Sequence, residues 1–135
     1  MFTQVDYIMV MVSDMTRSIE FYRDKLGLTL KFASPEWTEF QTGVTTLALH
    51  GCGRPREQTH EVDSKANHAG TCSIGFSVDK LDQVYEDLQS RGVQFVMPPT
   101  LREREGIRLA VCVDPDGLPI SFAETVYKAE AQAGS

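Results

Sequence analysis

One pattern of apolar and polar positions occurs twice along the chain. Residues 7–30 and 73–95 each contain a short apolar run, an aspartate, an amphipathic stretch and a glycine. Thirteen residues separate Asp14 from Gly27, and thirteen separate Asp79 from Gly92. Each aspartate can accept hydrogen bonds from free N–H groups at a helix start, and each glycine suits the left-handed conformation that ends a helix. The pattern predicts two copies of one module.

Three strand-like runs follow each predicted helix. They lie near 28–33, 36–42 and 44–50 in the first half, and near 93–97, 107–113 and 118–124 in the second. Ser-Pro, Thr-Gly and Asp-Pro-Asp-Gly separate several of them, and these sequences favour turns. The sequence therefore predicts an α+β fold of two βαβββ modules at 1–50 and 71–127. Residues 51–70 are expected to form a polar linker, and residues 128–135 a polar tail.

Successive side chains of a strand point to opposite faces. One set of strand faces is aliphatic or aromatic and is expected to pack on the helices. Its members are Ile8, Val10, Val12, Leu47, Leu49, Ile74, Phe76, Val78, Ile120 and Phe122. The opposite faces carry small, polar or methionine side chains, namely Tyr7, Met9, Met11, Thr46, Ala48, His50, Ser73, Gly75, Ser77, Ser121 and Ala123. Small and polar groups over a curved sheet leave room for a ligand, so these faces are expected to line a cavity.

Charge and cysteine content limit the classes of partner. The chain has 13 basic and 19 acidic residues, a net charge of −6. This charge argues against a nucleic-acid partner and can attract a cationic ligand. Three cysteines without a CxxC spacing argue for reduced thiols in a cytoplasmic protein. The apolar run at the N-terminus is too short to span a membrane.

The motifs together resemble the vicinal oxygen chelate superfamily of glyoxalases, bleomycin-resistance proteins and extradiol dioxygenases. The resemblance rests on 12–14, 18–22 and 26–28 (VSD, SIEFY and LGL) and on the DPDG sequence at 114–117. It covers residues 5–125 and implies a curved eight-strand sheet with a cup-shaped pocket. It also implies a homodimer.

Metal-dependent members of that superfamily place one ligand on each of four strands. The matching positions of this chain hold Tyr7, Ala48, Ser73 and Ser121. Divalent metals prefer carboxylates, imidazoles and thiolates, so the sequence predicts neither a metal site nor another cofactor. These four positions are instead expected to contact a ligand directly.

Other residues offer binding or acid–base groups. His50 and Glu39 can act as acid and base if both point into one pocket, and the phenol of Tyr7 can assist them. A surface role for His50 and Glu39 is the alternative. Met9 and Trp37 can form apolar walls, although Trp37 can equally lie in the core or at a dimer contact. Arg108 alternates with Ile107 and Leu109, so it either points into the cavity or lies exposed on its strand.

Three functions remain open. The first is metal-independent binding or sequestration of an aromatic or cationic small molecule, for which bleomycin-resistance proteins are the superfamily precedent. The second is a lyase, isomerase or hydrolase of the same fold that uses Glu39, His50 and Tyr7 as acid–base groups. The third, least supported, is a metal-dependent glyoxalase or dioxygenase with relocated ligands.

Overall fold

The computed structural model describes residues 2–52 and 69–126. These two ranges belong to two compact units of the chain. Each unit has the element order βαβββ, which confirms the predicted α+β class and the tandem modules. Most of the predicted linker, residues 53–68, and the predicted tail lie outside the described residues. No helix within the described ranges is long and apolar enough to cross a membrane.

The first unit is one four-stranded sheet with a helix on one side. Its elements are β1 (Tyr7–Val12), α1 (Met15–Ile19), which continues as a π-helical turn (Glu20–Lys25), β2 (Thr29–Ala33), β3 (Trp37–Thr42) and β4 (Thr45–Gly51). The strand order is β1-β4-β3-β2. Strand β1 runs parallel to β4, and the other neighbours are antiparallel. A parallel pair needs a crossover connection, and α1 provides it.

The second unit repeats this topology. Its elements are β5 (Ile74–Ser77), α2 (Leu81–Ser90), β6 (Gln94–Arg102), β7 (Ile107–Val113) and β8 (Pro119–Thr125), in the order β5-β8-β7-β6. Strand β6 continues to Arg102, beyond the predicted end near residue 97, and it contains Pro98 and Pro99. Proline cannot donate a ladder hydrogen bond, and an outer strand tolerates it. The pairing of β6 with β7 shifts register between Met97 and Thr100.

The first helix begins at its predicted cap but ends in a wider turn than a regular α-helix. Asp14 Oδ1 accepts a hydrogen bond of 3.1 Å from the Arg17 N–H. The Leu26 N–H donates to the Phe21 carbonyl, five residues earlier, at 2.9 Å. A turn of this width points both Phe21 and Tyr22 into the core, where both are buried. A regular 3.6-residue period predicts only Tyr22.

The core of the first unit lies between this helix and the sheet. The Tyr22 and Phe40 rings are 6.0 Å apart between centroids, and neither has exposed surface. Val10, Val12, Leu47 and Leu49 are also buried on this side. The helix therefore covers the face of the sheet that the aliphatic alternation predicts.

The second helix begins differently from the prediction. Asp79 does not cap it, because the capping residue is Lys80 and its side chain makes no capping bond. Instead, Glu124 Oε1 on β8 accepts a 3.0 Å hydrogen bond from the Leu81 N–H. A carboxylate near a helix N-terminus also interacts favourably with the helix dipole. A residue distant in sequence thus takes the role assigned to Asp79.

The turn before β8 surrounds a buried aspartate. Asp114 Oδ1 accepts hydrogen bonds from the Asp116 N–H at 2.9 Å and the Leu118 N–H at 2.8 Å. Nearby, burial raises the pKa of the Cys112 thiol to about 12, and the charge of Asp114 adds to the effect. Cys112 is therefore protonated at neutral pH and acts as a small apolar core residue.

We predict that Glu124→Ala lowers the free energy of unfolding by about 1–2 kcal/mol, because it removes the only described side-chain cap of α2. Glu124→Gln keeps an oxygen that can accept from the Leu81 N–H, so we expect a smaller loss. Urea unfolding followed by circular dichroism measures both. As a control, Glu86→Ala on the exposed face of α2 should change stability by less than about 0.5 kcal/mol. Equal stability of Glu124→Ala and the unmodified protein would contradict this role.

Candidate functional site

The side of the first sheet opposite α1, here called the first open face, carries the candidate site. Strand β4 lies between β1 and β3, and the register aligns side chains of three strands in rows. The successive rows of this face are Tyr7, Thr46 and Gln41; then Met9, Ala48 and Glu39; then Met11, His50 and Trp37. Strand β2 extends the middle row with Phe32, which pairs with Glu39. Most of the sequence-predicted candidates of the first module therefore share one surface.

Much of this surface is apolar and exposed. Tyr7 is 52% exposed, Met9 45%, Met11 49% and Phe32 52%. Contiguous exposed apolar surface commonly marks a binding or interaction site. Methionine side chains adapt their shape to a contacting group and make favourable contacts with aromatic rings.

An aromatic cluster crosses the middle of the first open face. The Trp37 ring lies 6.0 Å from the Tyr7 ring at 72°, and 5.9 Å from the His50 ring at 89°. Both are edge-to-face arrangements, which aromatic pairs favour. Since Tyr7 and Trp37 lie on strands to either side of β4, the indole reaches across β4. Ala48 of β4 has no exposed surface, although it lies on the open face. The side chains that surround Ala48 on this face therefore cover its methyl group.

A carboxylate and an ammonium group accompany the rings. Glu39 Oε2 accepts a 2.8 Å hydrogen bond from Trp37 Nε1, which fixes both side chains. Lys31 Nζ donates to Thr46 Oγ1 at 2.8 Å and lies 3.8 Å from Glu39 Oε1. The Lys31 and Glu39 side chains are 43% and 31% exposed, so solvent screens their attraction.

The geometry also favours one tautomer of His50. Its Nδ1 lies 3.1 Å from the Gly51 carbonyl oxygen. A carbonyl only accepts, so this contact favours the tautomer in which Nδ1 carries a proton and Nε2 can accept. Within the described first unit, no hydrogen bond joins His50, Glu39 and Tyr7 to one another. The Trp37 ring contacts all three instead.

Two further candidates lie on the second unit. Ser121 is on the face opposite α2 and pairs with Gly75 of β5. Its hydroxyl lies 3.5 Å from the Ile74 carbonyl oxygen, and a Cβ added at Gly75 would lie 3.4 Å from it. Ser73 is exposed and precedes β5. Both serines thus belong to the second unit, whereas the aromatic cluster belongs to the first.

Arg108 lies on the helix side of its sheet, and the expectation that it points into a cavity is corrected. Its guanidinium donates two hydrogen bonds to Asp82 of α2, at 2.9 and 3.0 Å, and lies 3.9 Å from Glu124. The hydrogen bond to Arg108 lowers the pKa of Asp82. Arg108 thus shares the helix side of β7 with buried Ala110 and Cys112, and carboxylates on α2 and β8 bind its guanidinium there.

The residues at the superfamily's ligand positions do not fit a divalent metal. Ala48 has no donor atom and is covered, while the Ser121 hydroxyl lies against a backbone carbonyl. Among residues 2–52 and 69–126, no three His, Cys, Asp or Glu side chains are close enough to hold a metal ion. The donor set therefore differs from the carboxylate and imidazole sets that such metals require.

Alternation alone does not predict that the side chains of Lys31 and Phe32 reach the first open face. A β-bulge lies between Leu30 and Phe32 of β2. With it, Leu30 pairs with Phe40 on the helix side, while Phe32 pairs with Glu39 and the Lys31 ammonium reaches Thr46. Bulges leave little trace in a single sequence. The apolar exposure of Phe32 is the signal that marks it in the structure.

A separate depression of about 380 Å³ lies where the start of α1 meets the β2–β3 turn. Asp14 and Ser34 line it, but Asp14 caps α1 and Ser34 bonds to the Trp37 backbone. Its main polar groups therefore have partners, and the first open face remains the stronger candidate.

Comparison with known proteins agrees with this architecture. The chain is 31% identical over 117 residues to the uncharacterized protein YraH of Bacillus subtilis (strain 168), which covers 81% of this chain and 88% of that protein. It is 26% identical over 129 residues to a probable lactoylglutathione lyase of Synechocystis sp., covering 90% and 95% of the two. The crystal structure of SMU.1112c matches with a TM-score of 0.78 at 21% identity, covering 92% of this chain and all of that one.

The family comparison covers most of the chain. Residues 4–122 match the model of the Glyoxalase/Bleomycin resistance protein/Dioxygenase superfamily. The match spans both modules, including the DPDG turn and most of β8. The chain belongs to the glyoxalase/bleomycin resistance protein/dioxygenase superfamily.

Proposed function

We propose that the protein binds or sequesters a small aromatic or cationic molecule on the first open face, without a metal ion. The observation that carries the proposal is the cluster of Tyr7, Trp37 and His50 across the buried Ala48. Exposed Tyr7 offers a ring for stacking, and Met9 and Met11 offer adaptable apolar surface beside it. A metal-dependent reaction is not favoured, because the positions that hold the ligands in such enzymes lack suitable donors.

Trp37, the only tryptophan of the chain, should report binding through its fluorescence. We predict that a panel of flat aromatic ligands contains members that change its emission, and that added EDTA leaves their affinity unchanged. Tyr7→Ala should weaken those members about fivefold to tenfold, because it removes a stacking surface. Val111→Ala on the second unit should leave binding unchanged. The proposal would be refuted if no ligand of the panel changed Trp37 emission, or if EDTA abolished binding.

An acid–base enzyme of the same fold is the second candidate. The observation in its favour is the contact of His50 Nδ1 with the Gly51 carbonyl, which favours the tautomer whose Nε2 can accept a proton from a bound molecule. Glu39 and Tyr7 lie on the same face, but Trp37 separates them from His50. His50 would therefore act as the base without a hydrogen-bonded carboxylate.

If the protein turns over aryl esters or α-hydroxyketones, we predict that His50→Ala lowers kcat about 100-fold or more, because a general base is lost. The circular dichroism spectrum should remain that of the unmodified protein, since His50 is only partly buried. His50→Gln keeps a polar side chain but no titrating base, so it should be equally inactive. Unchanged turnover in His50→Ala would exclude His50 from the mechanism.

We further propose that the protein is a homodimer. In the first sheet, β1 is an outer strand whose residues are all uncharged and include no proline. The other outer strand, β2, contains a bulge and Lys31, and both features discourage pairing with another strand. As an uncharged outer strand, β1 is thus the edge of this sheet better suited to contact with a second copy.

Light scattering should give a mass twice the 15.1 kDa of one chain. We predict that Ile8→Lys, at a partly exposed position of β1, reduces the mass to that of a single chain, because lysine opposes strand pairing. Val44→Lys, at a highly exposed turn position, should leave the mass unchanged. A single-chain mass for the unmodified protein would show that the proposal is wrong.

A further inference from the structure

One carboxylate oxygen of Glu39 accepts a hydrogen bond within the first unit, and the other accepts none from the described residues. Trp37 Nε1 donates to Oε2 at 2.8 Å, which fixes the carboxylate on the first open face. The only described neighbour of Oε1 is Lys31 Nζ at 3.8 Å, too far for a hydrogen bond. A partly buried carboxylate oxygen without a hydrogen-bond donor is a strong acceptor for a bound group.

Lys31 provides a positive charge near Glu39 but makes no hydrogen bond to it, and one of its three N–H groups donates to another residue. Its ammonium donates to Thr46 Oγ1 at 2.8 Å. The β-bulge beside Phe32 allows the side chain to reach this face. Lys31 therefore balances the charge of Glu39 without saturating it, and an incoming cation competes with Lys31 rather than with a formed hydrogen bond.

We propose that Glu39 Oε1 selects flat aromatic cations that carry N–H donors, such as aryl amidinium groups. This inference rests on the proposed binding function and names its ligand class. The ring of the ligand stacks on Tyr7 and Met9, and its N–H group donates to Oε1. The hydrogen bond makes the selection, so a quaternary ammonium of equal charge but without N–H is a poorer ligand.

Trp37 determines how a substitution at Glu39 acts. In Glu39→Gln, the new amide oxygen accepts from Trp37 Nε1, as Oε2 does now. The amide nitrogen then takes the position of Oε1 and presents hydrogen-bond donors. The substitution thus keeps the indole in place but converts the selecting acceptor into a donor that repels N–H groups.

Three probes that share the naphthalene ring system and differ in their charged group test the inference by calorimetry. They are 2-naphthamidine, 2-naphthyltrimethylammonium and 2-naphthoate. The unmodified protein should bind 2-naphthamidine at least about tenfold more tightly than the other two. Glu39→Gln should remove that advantage, reducing amidine affinity about tenfold or more. Lys31→Met should raise amidine affinity about twofold to fivefold, because a competing cation is lost.

Glu86→Gln removes one negative charge from the exposed surface of α2 and should leave all three affinities unchanged. Equal binding of the amidine and the trimethylammonium probe would overturn selection by Oε1 while leaving the binding function intact. Tightest binding of 2-naphthoate, lost in Lys31→Met, would overturn it in favour of an anionic ligand. If none of the three probes binds, this inference fails, while the wider panel of aromatic ligands still decides the proposed function.

Discussion

The pairing of β4 with β1 on one side and β3 on the other positions the aromatic cluster of the first open face. Neighbouring strands lie about 4.8 Å apart, so aligned residues bring their side chains into contact range. The parallel β1–β4 pair requires a crossover, and the helix that provides it covers one side of the sheet. The opposite side is left for Tyr7, Trp37 and His50. A one-residue shift in the register of β4 would turn Ala48 to the helix side and place a different side chain beside the aromatic cluster.

The sequence predicts those features that depend on local periodicity. Period-two alternation places Tyr7 and Met9 on one side of β1, and the spacing of Asp14 and Gly27 predicts the first helix. Features that depend on distant partners are not predicted in this way. Alternation puts Arg108 on the same side of β7 as Ala110 and Cys112, but only the pairing with β8 shows that this side faces α2 and its carboxylates. The bulge that brings Phe32 beside Glu39 depends on the pairing of two strands, not on the residues of one.

Membership of the superfamily establishes the fold more firmly than it establishes a reaction. Ala48 shows how the fold can be kept while the groups needed for a metal-dependent reaction are absent. A carboxylate at this position could ligate a metal ion, but its volume and hydration would disturb the side chains that now bury Ala48. A methyl group instead allows Trp37 to contact both Tyr7 and His50. One position of β4 thus cannot serve both purposes, and in this chain it supports an aromatic surface.

The two helices also differ in when their first turns can be completed. The Asp14 carboxylate that caps α1 and the Arg17 N–H that donates to it are three residues apart in sequence. Both groups therefore leave the ribosome almost together. The carboxylate that receives the first N–H of α2 belongs to Glu124, 43 residues beyond Leu81. The start of α2 therefore remains without this partner until β8 has been synthesised. During translation the first helix can acquire its cap early, whereas the second acquires its cap only when β8 joins the sheet.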